Sequence, residues 1–217
     1  MKWGENVLQN ASSKSIFNRL PIYLDYLINV INDKNDIKYI SSKMISNELE
    51  FGEVQVRKDL AIVCGNGKPK IGYEINLLTE KIKEYLGCHY HKNAIIIGIG
   101  KLGSYLMEHE DFERYGIKIL FGFDLVEKED IRNTPIRKFN IENLENLVKD
   151  NKIDIGIICV PKEEAQTVCN ILIKYNINAI WNFAPIKLNV PKNIFVQNEN
   201  LTYSLSVVSS IIKQQHN

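Results

Sequence analysis

Residues 93–103 read Asn93-Ala-Ile-Ile-Ile97-Gly98-Ile-Gly100-Lys-Leu-Gly103. Within the first five, Ala94–Ile97 form a continuous apolar, mostly β-branched run, which marks a strand buried on both faces. The next six are Gly-x-Gly-x-x-Gly, opening a helical stretch that extends to about Glu110. That motif is weak alone and gains weight from its place between a strand and a helix. Gly98 permits a tight turn, Gly100 lets backbone approach a pyrophosphate, and Gly103 allows close helix–strand packing. The helix N-terminus adds unpaired N–H donors and partial positive charge. The candidate cofactor loop is Gly98, Ile99, Gly100, Lys101, Leu102 and Gly103. Lys101 either adds charge near the phosphates or points to water. His109 is the histidine nearest this helix.

Reading toward the C-terminus, Lys118–Phe123 is a second strand ending at Asp124, 24 residues past Gly100. A carboxylate there accepts hydrogen bonds from a ribose diol and repels a 2′-phosphate, so NAD is favoured over NADP. Ile141–Lys149 reads as helix, Ile153–Val160 as a buried strand ending in Pro161, Glu163–Tyr175 as helix and Ala179–Phe183 as strand. The alternation predicts an α/β fold with a parallel, doubly wound, Rossmann-like sheet. Tyr203–Lys213 is an apolar helical pattern whose Leu205, Val207, Val208, Ile211 and Ile212 want a partner surface.

Reading toward the N-terminus, residues 88–92 form a linker and the character changes. Residues 1–12 look like a loose arm. Ile16, Leu20, Tyr23, Leu24, Leu27, Ile28 and Ile31 recur at helical spacing, and Pro21 places the helix start near itself. Ser41 and Ser42 cap a short helix over Met44–Leu49. Glu53–Val63 is a third helix, with Val54, Val56, Leu60 and Val63 available for the core. Cys64–Tyr73 holds three glycines and a proline, a hairpin. Ile75–Leu86 returns to helix and Gly87 ends it. Three short helices and a Gly/Lys hairpin outline a winged helix, whose third helix enters a major groove.

The 217 residues are 45% apolar and 24% charged with net charge +1, which excludes global disorder. No apolar run approaches the roughly 18 residues of a membrane span, and the N-terminus has no signal-peptide apolar region. A soluble cytoplasmic protein is expected. Cys64, Cys88, Cys159 and Cys169 are scattered with no C-x-x-C pair, which disfavours metal and predicts free thiols. Against the near-neutral whole, residues 54–73 carry Arg57, Lys58, Lys68 and Lys70 against Asp59, a net +3. Such a local basic stripe fits a small DNA-reading element and, taken alone, fits a plain solvated loop better. Only about thirty residues follow the sheet, too few for a substrate lobe, which weighs against an enzyme.

The combination resembles the Rex family of redox-sensing transcriptional repressors from about residue 14 to the end. The resemblance is carried by Arg19-Leu-Pro-Ile-Tyr23, Gln55-Val-Arg-Lys-Asp-Leu60, Gly67-Lys68, Gly72-Tyr73, Gly98–Gly103, Gly122-Phe-Asp124 and Val160-Pro161. Most specific is Asn182-Phe-Ala-Pro-Ile-Lys-Leu-Asn-Val-Pro191. The resemblance implies a homodimer with a winged-helix domain (1–87), a Rossmann domain binding NADH and NAD⁺ (88–200) and a last helix (201–217) swapped onto the partner. It implies a palindromic double-stranded operator, released when NADH binds, and neither a membrane nor a protein substrate. Gln55, Arg57, Lys58, Lys68 and Lys70 would face DNA. The nicotinamide would lie near Val160, Pro161, Asn182, Phe183, Ala184 and Pro185. His109 stands where the family commonly has tyrosine, and would give ligand binding a pH dependence. Further departures are Asp25, Ile62, Val63, Pro69, Lys101 and Asn200. The alternatives are a small Rossmann dehydrogenase or nucleotide-binding protein, and a Rex-like DNA-binding dimer without NADH response.

Overall fold

The computed structural model describes residues 11–33, 37–124 and 137–215. The chain divides into two compact units, Met1–Tyr90 and His91–Asn217. The predicted linker at 88–92 shrinks, because Cys88 is buried and a strand already begins at Lys92.

The first unit runs α1 (Ala11–Asp33), β1 (Tyr39–Ile40), α2 (Ser42–Glu48), α3 (Glu53–Cys64), β2 (Tyr73–Glu74) and α4 (Ile75–Leu86). Strands β1 and β2 pair antiparallel. The Ser41 hydroxyl caps α2 by accepting from the Met44 N–H, and Gly87 closes α4 in the left-handed region. The core takes Ile16, Leu20, Tyr23, Leu24 and Leu27 from α1, with Ile45, Val56, Leu60, Leu78 and Ile82. Each such aliphatic side chain contributes about 1.5–3 kcal/mol by leaving water.

Three expectations are corrected here. Helix α1 does not start near Pro21 but passes through it. The proline removes one backbone donor, yet buried Ile16 and Leu20 hold the preceding turns to the core. Of the arm expected over 1–12, Ala11 and Ser12 are helical and the remainder lies outside the described residues. In α3, Val54 is 55% exposed while Asp59 is 2% exposed, so an acid takes a core position that periodicity alone gives to apolar residues.

The second unit runs β3 (Lys92–Ile97), α5 (Lys101–Glu108), a 3-10 turn (Glu110–Tyr115), β4 (Ile117–Asp124), β5 (Arg137–Asn140), α6 (Leu144–Asp150), β6 (Ile155–Ile158), α7 (Lys162–Lys174), β7 (Ala179–Asn182), β8 (Phe195–Asn198) and α8 (Leu201–Gln215). All six strands are parallel in the order β5-β4-β3-β6-β7-β8. That is the Rossmann order, with the reversal between β3 and β6. Ile95 and Ile97 enter one core layer with Leu144, Val168 and Leu172. Ala94 and Ile96 enter the other with Leu106 and Met107. Both faces of β3 are therefore covered, as its unbroken apolar run requires. The edge strands β5 and β8 have no counterpart in the sequence reading, since neither carries an unbroken apolar run. Among the described residues no helix is long and apolar enough to cross a membrane.

Candidate functional site

The glycine loop follows β3 at the point where strand order reverses, the place where open α/β sheets bind ligands. Three strand ends are stitched together there. Gly98 N–H donates to the Phe123 carbonyl at 2.7 Å, and Cys159 N–H to the Ile97 carbonyl at 2.8 Å. Ile99 N–H donates to Asp124 Oδ2 at 3.1 Å. The carboxylate expected at a ribose diol thus also anchors the loop.

The three glycines differ in what surrounds them. Gly98 has φ +99°, and a Cβ there would lie 2.7 Å from the Cys159 backbone. A Cβ on Gly103 would collide with the Gly98 carbonyl oxygen. Both are glycine for the protein's own packing. Gly100 has nothing within 4 Å of its would-be Cβ. Its smallness serves nothing inside the chain and leaves the α5 N-terminus open to a ligand.

That N-terminus carries no side-chain cap and no acid in its first turn. Its first residue, Lys101, is exposed. A cation at a helix N-terminus is unfavourable without an anion. The donor set therefore fits a diphosphate. Ile99 is buried and Leu102 half-buried, so their side chains pack while their backbone shapes the loop.

On the far side of the reversal, Val160 approaches Gly98 and Pro161 precedes α7. Burial pushes the Cys159 thiol up to about 12, so it stays protonated. All four cysteines are free thiols. Among the described residues no cluster of three or more His, Cys, Asp or Glu is placed to hold a metal.

Asn182 is fully buried. Its Nδ2 donates to the carbonyls of Ala184 and Ile186 and to Asn198 Oδ1, and its Oδ1 accepts from Ala184 N–H. Its side chain is spent shaping the turn after β7. Phe183 N–H donates to the Ile158 carbonyl at 3.0 Å, Ala184 is buried, and Pro185 is exposed. His109 sits at the opposite end of α5, about 12 Å along the helix from the loop. Its ring stacks on Tyr105 and meets the edge of Phe112, which in turn touches Trp181. The structure brings Gly98–Gly103, Asp124, Val160 and Pro161 together and leaves His109 apart from them.

In the first unit, Gln55, Arg57 and Lys58 are exposed on α3. Lys68 and Lys70 are exposed in the hairpin. The hairpin closes through Lys68 N–H to the Gly72 carbonyl at 2.8 Å and Ile71 N–H to the Lys68 carbonyl at 3.1 Å. Pro69 and Lys70 are the central residues of that turn, and Lys70 takes φ +64°. Lys68 Nζ lies 5.9 Å from the centre of the Tyr39 ring.

Residue spacing did not reveal the network beneath α3. Arg19 grips Asp59 with two bonds, Nε to Oδ2 at 2.6 Å and Nη2 to Oδ1 at 2.8 Å. Tyr23 Oη donates to Oδ2 at 3.0 Å and Gln55 Nε2 to Oδ1 at 2.9 Å. Burial opposes ionisation of Asp59, but the bonds from Arg19, Gln55 and Tyr23 outweigh it and hold the carboxyl below its usual range. Burial, reinforced by the bond to Asp59, raises the Tyr23 phenol. The one signal in the sequence is an acid inside the Val56–Leu60 core stripe, which calls for hydrogen-bond donors or a cation against it.

Residues 89–186 match the family described as CoA binding domain, and residues 13–61 the family described as Putative DNA-binding protein N-terminus. The redox-sensing transcriptional repressor Rex of Clostridium acetobutylicum is 36% identical over 205 residues, 93% of this chain and 94% of that protein. That of Clostridium botulinum (strain Hall) is 38% identical over 203 residues, 93% and 96%. The solved structure of RSP in complex with beta-NAD+ and operator DNA is similar at TM-score 0.85 and 34% identity, covering 94% of this chain and 93% of that one. The complex of RSP with beta-NADH is similar at 0.83 and 33%, covering 96% and 97%.

Proposed function

The chain belongs to the Rex family of redox-sensing transcriptional repressors, and on that premise we propose that it binds operator DNA and releases it when NADH binds its Rossmann unit. The observation that carries the reading is the glycine loop at the strand reversal, with Gly100 open and the α5 N-terminus uncapped. The bound dinucleotide supplies only its redox state as a signal; no hydride transfer is involved.

The chain's own residues divide the work. Backbone N–H groups at the start of α5, with Lys101, hold the diphosphate. Asp124 keeps the loop in place and selects against a 2′-phosphate. Val160, Pro161 and the turn Asn182–Pro185 border the nicotinamide, with Asn182 acting as a brace. In the winged helix, residues 1–87, α3 enters the major groove with Gln55, Arg57 and Lys58, and the hairpin lays Lys68 and Lys70 along the phosphates. Residues 88–200 form the ligand domain. Residues 201–217 pair the chain with a second copy, because Tyr203, Leu205, Val207, Val208, Ile211 and Ile212 of α8 are each more than half exposed. A two-fold dimer matches a palindromic operator. Release is a population shift between dimers whose winged helices fit the two half-sites and dimers whose winged helices do not. NADH must favour the second form over the first. Such a protein is a switch rather than a catalyst, and it works in the cytoplasm beside its operator.

The test is NADH titration of the purified protein by fluorescence, with NAD⁺ and NADPH as competitors, followed by NADH addition to a protein–DNA complex. NADH-selective binding with release of DNA is expected. DNA binding that NADH leaves intact overturns the sensing half of the proposal.

A further inference from the structure

We propose that Gln55 is the residue that reads an adenine in each operator half-site, its amide held in one orientation by Asp59. The inference rests on the DNA-binding reading above and adds to it what the helix recognises. Gln55 lies in the first turn of α3, the end of a recognition helix that meets base edges. Its side chain is exposed, yet its Nε2 is tied to Asp59 Oδ1 at 2.9 Å. An ionised carboxylate only accepts hydrogen bonds, so it can hold the NH₂ end of the amide and never the C=O end. Arg19 keeps Asp59 in that state through two short bonds, and Asp59 is itself 2% exposed. The amide is therefore denied the flip open to an unrestrained glutamine.

With one N–H spent on Asp59, Gln55 presents its carbonyl oxygen and its second N–H side by side. An acceptor beside a donor is the complement of adenine, whose major-groove edge offers N6–H and N7. Guanine offers two acceptors there, and cytosine and thymine one polar group each. The neighbouring surface supports contact rather than solvation: Val54 and Ile62, also on the outer side of α3, are 55% and 62% exposed.

Selection of double-stranded DNA from a random library by the full-length protein tests the proposal. The wild type should enrich a palindrome with one adenine per half-site that Gln55→Ala relaxes, with at least about a tenfold loss of preference there. Gln55→Glu, which only accepts and is repelled by the Asp59 carboxylate, should lose the adenine preference and favour cytosine wherever it still reaches a base. Asp59→Asn, which can take the amide either way round, should blur the same position while other positions hold. If that variant does not fold, the Gln55→Glu selection decides alone. An unchanged site for Gln55→Ala and Gln55→Glu overturns the role of Gln55, with DNA binding intact. No enrichment by the wild type overturns DNA binding and this inference together.

Discussion

A carboxylate with four hydrogen bonds and almost no exposure is an expensive residue to disturb. Asp59 takes two bonds from Arg19, one from Tyr23 and one from Gln55. Removing one member of a buried pair leaves the other charge uncompensated, at a cost of about 3–5 kcal/mol. Arg19→Ala should therefore lower the stability of the first unit by about 3 kcal/mol in urea titrations read by circular dichroism. The pH dependence has a definite sign. The folded carboxyl titrates below its unfolded value of about 3.9, so its contribution is full above that pH and is lost as pH falls through the folded value. The stability gap between wild type and Asp59→Asn should narrow below about pH 4, and a constant gap from pH 7 to 2 would contradict the assignment. The glycine loop yields a second contrast between neighbours. Gly103→Ala forces α5 off β3 and should cost about 1–3 kcal/mol. Gly100→Ser keeps a good N-cap and meets no protein atom, so stability should hold while calorimetry records about a tenfold or greater loss of NADH affinity.

At the level of elements, the wing holds a strained lysine. Lys70 occupies the left-handed region in the turn after Pro69, a conformation that costs a residue with a Cβ about 1 kcal/mol or more. Lys70→Gly should raise the midpoint of unfolding and yet weaken DNA binding, with the salt dependence of affinity reduced by about one phosphate contact. An unchanged salt dependence would take the lysine out of the phosphate contacts, and a lower unfolding midpoint would contradict the strain at this turn. Which elements were legible in the sequence follows from burial. The strands β3, β4, β6 and β7 are covered on both faces and announce themselves as apolar runs. The edge strands Arg137–Asn140 and Phe195–Asn198 are short and polar, paired on one side only, and carry no such run. Local propensity places the start of α1 at Pro21, because propensity carries no information about the core that overrides it. The glycine loop and the basic face of α3 were legible because their chemistry sits in contiguous residues. The Arg19–Asp59–Tyr23 network was not, because its members lie 36 and 40 positions apart and meet only once α1 packs against α3.

On the scale of the molecule, α8 decides what the functional unit is. Its six large apolar residues from Tyr203 to Ile212 are exposed, a surface that a soluble chain rarely leaves bare. Replacing Leu205, Val208 and Ile212 with glutamate should convert a dimer to a monomer in sedimentation. The same variant should fail to bind a palindromic site while retaining NADH, since the glycine loop belongs to each chain separately. Retained dimerisation would place the seam on another surface. On the dimer proposed above, the repressor's own abundance becomes part of the signal. Where dimers are the minority, their number varies with the square of the copy number, so halving expression leaves about a quarter of them. The redox threshold at which transcription resumes then depends on how much of the protein the cell has made.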